Sequence, residues 1–408
     1  MEIPMKILFI TETASIHGAR WVNQFSSCGW DLHIAQGIYP FARVNSEYRA
    51  GTFHCPFPLD LNAALNPNCL VKMNQTVSFA ISHISYGNDR IATALQKRLI
   101  QKLKPDVIHT LGLNINWKNN CLTTYNVKKS LGKRFPAPWI YSTWGSDLDF
   151  YARQSHKEAR DVSLILPAVD YLITECTRDE RLAYSYGFKG VCLAHLPAFG
   201  GVPLDAYSHL RTPGLCSGRK NIFLKGRDNC TNGDPVGRAM TAMQAFELCE
   251  KDLAGYTIII NQASPSIHAK AEELSRTTSL KIQIIPLLSY HEVLKILGSS
   301  RLFIALTVND GIPSTLVEAM ALGTFPIHSD LEPIREWISH EKNGMLVPPD
   351  DPEKCADFLR YALTDDNLVD TADQINMALI KDRMSDEVIK RRSMQVYEQI
   401  VGEWAERY

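Results

Sequence analysis

The sequence predicts an α/β protein made of two Rossmann-like, doubly wound parallel-sheet domains. Three observations carry that reading. Short runs rich in β-branched and aromatic residues alternate with stretches of helical period along the chain. The alternation occurs twice, on either side of PAFGGVPLDAYSHLRTPGLCSGRK (197–220), which is rich in Gly, Pro and Ser and lacks periodicity. A length of 408 residues also suits two domains.

In the first half, strands are expected at KILFI (6–10), DLHIA (31–35), DVIHTL (106–111), PWIYSTW (138–144), YLITEC (171–176) and VCLAHL (191–196). The second half has NIFLKG (221–226), YTIIINQ (256–262), KIQIIPL (281–287), RLFIAL (301–306), TFPIHS (324–329) and GMLVPP (344–349). Helical patterns lie between them, as in DRIATALQKRLIQKL (89–103) and GRAMTAMQAFELCEKDL (237–253). Ser289 and Glu292 frame a capping box that opens SYHEVLKILGSS. Strands alternating with helices imply parallel sheets covered on both faces. The expected division is an N-terminal domain over 1–200, a linker over 201–220 and a C-terminal domain over 221–384. A helical tail over 385–408 follows.

Composition excludes several classes. Hydrophobic residues at 45% and charged residues at 21% fit a soluble globular chain. Ten cysteines show no C-x-x-C pair and no Cys/His spacing of the ligand kind. A reducing compartment, no disulfide frame and no metal site are therefore expected. The apolar run in MEIPMKILFITET is too short for a signal peptide or a membrane span, so the expected location is the cytoplasm. Residues 1–204 carry a surplus of six positive charges and the remainder a deficit of seven. The basic excess gathers in QKRLIQKLK (96–104) and VKKSLGKR (127–134). Such a face is either solvated or meets an anionic membrane at its inner surface or an anionic acceptor. No nucleic-acid motif is present, and no nucleic acid is expected as a partner.

Open α/β sheets bind ligands at the carboxyl ends of their strands. NDGIPSTLVEAMALGTFPI (309–327) is such an end. Gly311 permits close approach of a ligand to the backbone, beside Ile312. Pro313 suits the first helical position, and Ser314, Thr315 and Leu316 then present amides to an anion. Glu318, one turn further in, suits a ribose diol; it suits a helix-dipole acid as well. Gly323 stops the helix.

A second anion-binding feature lies in NIFLKGRDNCTNGDPVGRAM. Lys225, Gly226 and Arg227 end a strand, and Arg238 opens a helix after a loop with Asn232, Gly233 and Asp234. Two arginines beside a glycine suit a diphosphate. The loop is neither a P-loop nor a G-x-G-x-x-G fingerprint, which argues against an ATPase or a simple dehydrogenase.

DGIPSTLVEAMALGTFPI, followed by EWISHEKNGMLVPPDDPEKCADFLRYAL, resembles the signature of retaining nucleotide-sugar glycosyltransferases of family 4, the group 1 type with the GT-B fold. The matching positions are Asp310 and Glu318, then Ala319, Met320, Ala321 and Gly323, then Asn343, Gly344, Leu346 and Val347. Upstream, Gly226-Arg227 resembles the family's diphosphate grip. PDVIHTLG resembles the strand with an N-domain histidine, His109, and TWGSD (143–147) a segment facing the cleft. Departures are Asp310 for the usual Glu, Arg238 for the usual Lys, and His17-Gly18 for the usual Gly-Gly. Leu111 stands where a second histidine is often found.

The resemblance implies that Arg227, Arg238 and the amides of Ser314, Thr315 and Leu316 absorb charge on the departing diphosphate. Glu318 would hold the ribose, Asp310 and Gly311–Pro313 the donor sugar, and Leu287 and Leu288 the base. His109 would meet donor or acceptor, and Trp144, Asp147, His17 and Gly18 would line the acceptor cleft; Asp147 equally suits a helix cap. The implied co-substrate is a UDP- or GDP-type sugar, with no other cofactor, and the acceptor is a glycan, lipid-linked or small molecule. Asp147-Leu148-Asp149 has the form of a metal-binding Asp-x-Asp but lies in the wrong half of the chain. The last helix would pack back on the N-terminal domain through Tyr397 and Trp404. The rival readings are another nucleotide-sugar enzyme, such as an epimerase, and a non-catalytic binder of glycan or partner protein.

Overall fold

A computed structural model describes residues 4–35, 44–54, 89–113, 120–229 and 236–407. The chain forms two compact units, one of Met1–Gly200 with Ile389–Tyr408 and one of Gly201–Val388.

The first unit holds a seven-stranded sheet in the order β3-β2-β1-β4-β5-β6-β7. Its strands are β1 Lys6–Ile10, β2 Asp31–Ala35, β3 Thr52–His54, β4 Val107–Leu111, β5 Trp139–Ser142, β6 Tyr171–Thr174 and β7 Val191–His195. Every pairing is parallel. The central strands are buried because both faces are covered; β4 is buried at all five positions, His109 and Thr110 included. Leu8, Ile108, Trp139 and Leu172 lie in one cluster with Val127 and Val162 of covering helices. The short edge strand β3 was not foreseen: TFH is largely exposed and too brief to show a period.

The second unit holds a six-stranded parallel sheet in the order β10-β9-β8-β11-β12-β13. Its strands are β8 Asn221–Lys225, β9 Thr257–Asn261, β10 Lys281–Ile284, β11 Ser300–Ala305, β12 Phe325–Ser329 and β13 Met345–Val347. The chain runs outward from β8 through β9 to β10, then returns to β11 on the other side of β8. The crevice at β8 and β11 is therefore the switch point where such sheets take ligands. Alternate residues such as Ile222, Ile304 and Phe325 enter one core with Met243, Phe246 and Leu359.

One boundary differs from expectation, and the helical tail joins the first domain as expected. Residues 201–220 are part of the second unit: Tyr207, Cys216 and Arg219 are buried, and Arg219 donates to the carbonyl of Gly323 at 2.7 Å. The terminal helix spans Asp386–Arg407, and its residues from Ile389 onward belong to the first unit.

Candidate functional site

Because every strand of the second sheet is parallel, all carboxyl ends lie along one edge. Gly226 and Arg227 follow β8, Leu287 and Leu288 follow β10, and Asp310 to Pro313 follow β11. The helix Ser314–Ala321 opens there.

Close packing dictates the glycine at 226. A Cβ on Gly226 would sit 2.6 Å from the side chain of Ile260. Gly226 is fastened by its amide to Asn261 at 2.7 Å and by its carbonyl to the Ser264 amide at 2.9 Å. The loop after β8 returns to β11: the Val308 amide donates to Val236 and the Arg238 amide to Leu306, both at 2.9 Å. Arg227 is exposed. Asn232, Gly233 and Asp234 lie outside the described residues.

Arg238 is held differently from a free phosphate ligand. Its Nε meets the Asp350 carboxylate at 2.8 Å, and its Nη1 donates to the Gly237 carbonyl at 2.7 Å. Any anion that recruits this guanidinium competes with Asp350.

At the helix start, the placement of Pro313 corrects the expectation. Pro313 is the cap, with φ −68° and ψ 117°, and Ser314 is the first helical residue. The Leu316 amide donates back to the Pro313 carbonyl at 3.1 Å, so it is spent inside the turn. Ser314 and Thr315 carry the amides that have no acceptor within the helix. Asp310 is half-buried and accepts from the Gly311 amide at 2.9 Å. Ile312 is buried, and Leu287 is fully exposed.

Glu318 is 5% exposed. Its carboxylate accepts from the hydroxyl of Tyr290 at 2.6 Å, and Tyr290 in turn meets the hydroxyl of Tyr207. Tyr290 opens the helix Tyr290–Gly298, whose capping box of Ser289 and Glu292 stands as the sequence predicts. Glu318 is thus tied across the carboxyl edge to the start of the helix after β10. The sequence reading missed both tyrosines.

It also missed His328. This residue sits in β12 beside Ala305 and Leu346, fully buried, and its two ring nitrogens have no hydrogen-bond partner among the described residues. Burial pushes its pKa down to about 4, with Asp310 acting upward and Lys225 downward. A neutral imidazole therefore lies under the switch point near a carboxylate and an ammonium. The visible signal was a lone histidine at the carboxyl end of an otherwise apolar strand.

The signature segment further on is structural. Asn343 donates to Trp337 at 2.9 Å and to Asn376 at 2.8 Å, while its carbonyl accepts from Asn376 at 3.0 Å. A Cβ on Gly344 would meet the Pro326 carbonyl at 2.9 Å.

In the first unit the picture changes more. His109 is buried in β4, with Nδ1 2.6 Å from the Tyr397 hydroxyl and Nε2 2.7 Å from Ser142 Oγ. Phe9, Trp21 and Tyr397 surround its ring, and burial lowers its pKa to about 3. The role of meeting donor or acceptor is therefore corrected: both nitrogens are spent on protein partners, and the ring is a packing element that anchors the terminal helix. Asp147 likewise faces inward. One of its oxygens accepts from the amides of Leu113 at 3.0 Å and Trp144 at 2.8 Å and from the Tyr141 hydroxyl at 2.8 Å. Burial raises its pKa to about 7 against the pull of those donors. It braces the turn at Trp144 and caps no following helix, since all three donors precede it in the chain. Asp149 pairs with Arg153 at 2.9 Å and Arg178 at 3.2 Å, so Asp147-Leu148-Asp149 is engaged throughout. Trp144 is half-buried, with His17 edge-on at 6.0 Å. A Cβ on Gly18 would crowd Thr11 at 2.8 Å and Tyr48 at 2.9 Å.

The basic face is partly consumed. Lys128 pairs with Asp170 at 2.6 Å, whereas Arg98, Lys102 and Lys104 are exposed. Among the described residues no helix is long and apolar enough to cross a membrane.

Residues 250–378 match the family described as "Glycosyl transferases group 1". The chain is 29% identical over 148 residues to GDP-mannose:cellobiosyl-diphosphopolyprenol alpha-mannosyltransferase of Xanthomonas oryzae pv. oryzae (strain PXO99A). That match covers 36% of this chain and 35% of that protein, so the chain spans about a third of the length of this curated relative. Among solved structures, sucrose-phosphate synthase from Thermosynechococcus elongatus superposes with a TM-score of 0.68 at 16% identity, over 98% of this chain and 100% of that one. HepE of Anabaena in complex with UDP-glucose superposes with a TM-score of 0.67 at 12% identity, over 97% and 100%. Residues 250–378 therefore resemble the group 1 glycosyltransferases, and the chain as a whole has the GT-B fold.

Proposed function

We propose that the protein transfers a sugar from a nucleotide-diphosphate sugar, of UDP or GDP type, to a glycan, lipid-linked or small-molecule acceptor, with retention at the anomeric carbon. The observation that carries this is the tether of Glu318 to Tyr290 beside an open helix start at the switch point. A buried carboxylate held there suits a ribose diol. The Ser314 and Thr315 amides suit the diphosphate, with Arg227 supplying charge. Asp310 and the Gly311 backbone take the sugar hydroxyls. The curated mannosyltransferase relative and the UDP-glucose complex of the fold neighbour support a nucleotide-sugar donor.

In this reading, charge on the leaving diphosphate is met by helix amides and arginine, and the reaction needs no metal. The acceptor attacks from the face the diphosphate leaves, and a donor phosphate oxygen takes the acceptor proton. Surface-glycan assembly at the inner face of a membrane, with the exposed basic helix over 89–103 towards anionic lipid, is the proposed setting.

Incubation with a panel of UDP- and GDP-sugars, followed by nucleotide release and the anomeric configuration of the product, tests the proposal. Release from at least one donor, with an axial or equatorial linkage matching that donor, is expected. An inverted product removes the retaining mechanism, and absence of release from every donor removes the enzyme reading.

A further inference from the structure

The edge strand β7 of the first sheet does not alternate regularly. Leu172 pairs with Cys192 and Ile173 pairs with Ala194, so Leu193 is an extra residue. In a regular strand residues 192 and 195 point to opposite faces. The bulge turns both to one side. There they meet Glu180 of the helix Thr177–Ser185. One oxygen of Glu180, the Sγ of Cys192 and a ring nitrogen of His195 all lie within 4.8 Å of one another. His195 Nε2 is 2.7 Å from Glu180 Oε2. Thr174 Oγ1 is 4.0 Å from Cys192 Sγ, and Arg392 holds the His195 carbonyl at 3.3 Å. All three side chains are half-buried, so an ion reaches them from solvent.

We propose that Glu180, Cys192 and His195 bind a divalent cation of the zinc class in four-coordinate geometry, with water in the fourth position. A thiolate, an imidazole and a carboxylate are the mixed set that such a borderline-soft ion takes, and calcium and magnesium do not. Bonds of about 2.3 Å to sulfur and about 2.0 Å to nitrogen and oxygen place tetrahedral ligand atoms about 3.3–3.6 Å apart. His195 Nε2 and Glu180 Oε2, now 2.7 Å apart, reach that spacing by separating less than about 1 Å, and the sulfur, within 4.8 Å of both, closes by a comparable shift. Coordination forms one metal–sulfur bond and releases the thiol proton to solvent. The site uses none of the residues assigned to the sugar donor.

Cobalt(II) is the probe, added to the full chain after treatment with a chelator. The expected result is a thiolate-to-cobalt charge-transfer band in the near ultraviolet and the visible bands of a four-coordinate ion. Both saturate at one equivalent and are displaced by zinc. Cys192→Ser removes the charge-transfer band, and Cys28→Ser, which alters another half-buried thiol, leaves it. Should Cys192→Ser fail to fold, Glu180→Gln serves instead. It lowers cobalt affinity by more than the roughly tenfold cost of losing a supporting contact. Lack of the band in the wild-type chain, its persistence in Cys192→Ser, or unchanged affinity in Glu180→Gln overturns the proposal.

Discussion

The hydroxyl of Tyr290 donates to the carboxylate of Glu318 at 2.6 Å. This bond joins the start of the helix after β10 to the helix after β11 across the edge where a donor is proposed to bind. It fixes the direction of the carboxylate before any ligand arrives, which is what preorganised recognition of a diol needs.

Glu318→Gln is expected to lower donor turnover at least about tenfold, since a charge-assisted bond to a hydroxyl is worth about 1.5–3 kcal/mol. Tyr290→Phe removes this hydroxyl donor from the carboxylate and is expected to raise KM more than it lowers kcat. Steady-state kinetics of both variants checks the pair. Equal, wild-type values for the two would leave the tether without a part in donor binding.

Arg238 and Asp350 give a sharper comparison. If the guanidinium serves the diphosphate, the donor must displace Asp350 from a bond of 2.8 Å. Asp350→Asn is then expected to tighten nucleoside diphosphate binding, and Arg238→Ala to weaken it. Titration calorimetry distinguishes this from a purely structural pair, for which Asp350→Asn changes thermal stability and leaves affinity alone.

Tyr397 fills the aromatic cluster around β4, accepting from Trp21 Nε1 at 3.1 Å and lying 2.6 Å from His109. Tyr397→Phe keeps the ring and strands two buried polar groups. A loss of about 1–3 kcal/mol is expected, read as a lower denaturation midpoint. No loss of stability would show that water or rearrangement satisfies both.

His328 yields a pH prediction. Its folded pKa of about 4 lies below the ordinary 6.5, so the unfolded chain binds more protons between those values. Stability from this group is complete above pH 6.5 and falls as pH drops towards 4. The loss between pH 7 and pH 5 is about 2 kcal/mol. His328→Leu is expected to remove that share. Asp147, with its pKa raised to about 7, acts with the opposite sign in the same window, so only the difference between variant and wild type isolates the histidine. Chemical denaturation at the two pH values measures it, and parallel pH curves would count against a neutral buried His328.

Much of the fold was legible because buried parallel strands leave dense apolar runs. All twelve strands read from sequence occur in the structure. The edge strand β3 left no such trace. At the carboxyl edge of the second sheet, order along the chain was enough to bring Asp310, Ser314 and Glu318 together, since a strand end and a helix start are local features. Tyr290 was hidden because its partner lies 28 positions away. His109 and Asp147 were misread for one reason: residue type does not reveal which way a side chain faces. The Cys192–His195 pair was hidden by a bulge, since a spacing of three in a regular strand separates the two side chains.

The most direct test of the donor site is calorimetric binding of UDP and GDP to the wild-type chain and to a chain with Arg227→Ala and Glu318→Ala together. The account predicts that the wild type binds one of the two nucleotides at one site, and that the double variant, still folded by circular dichroism, binds it at least about a hundredfold more weakly. Equal affinity in the two chains would contradict it.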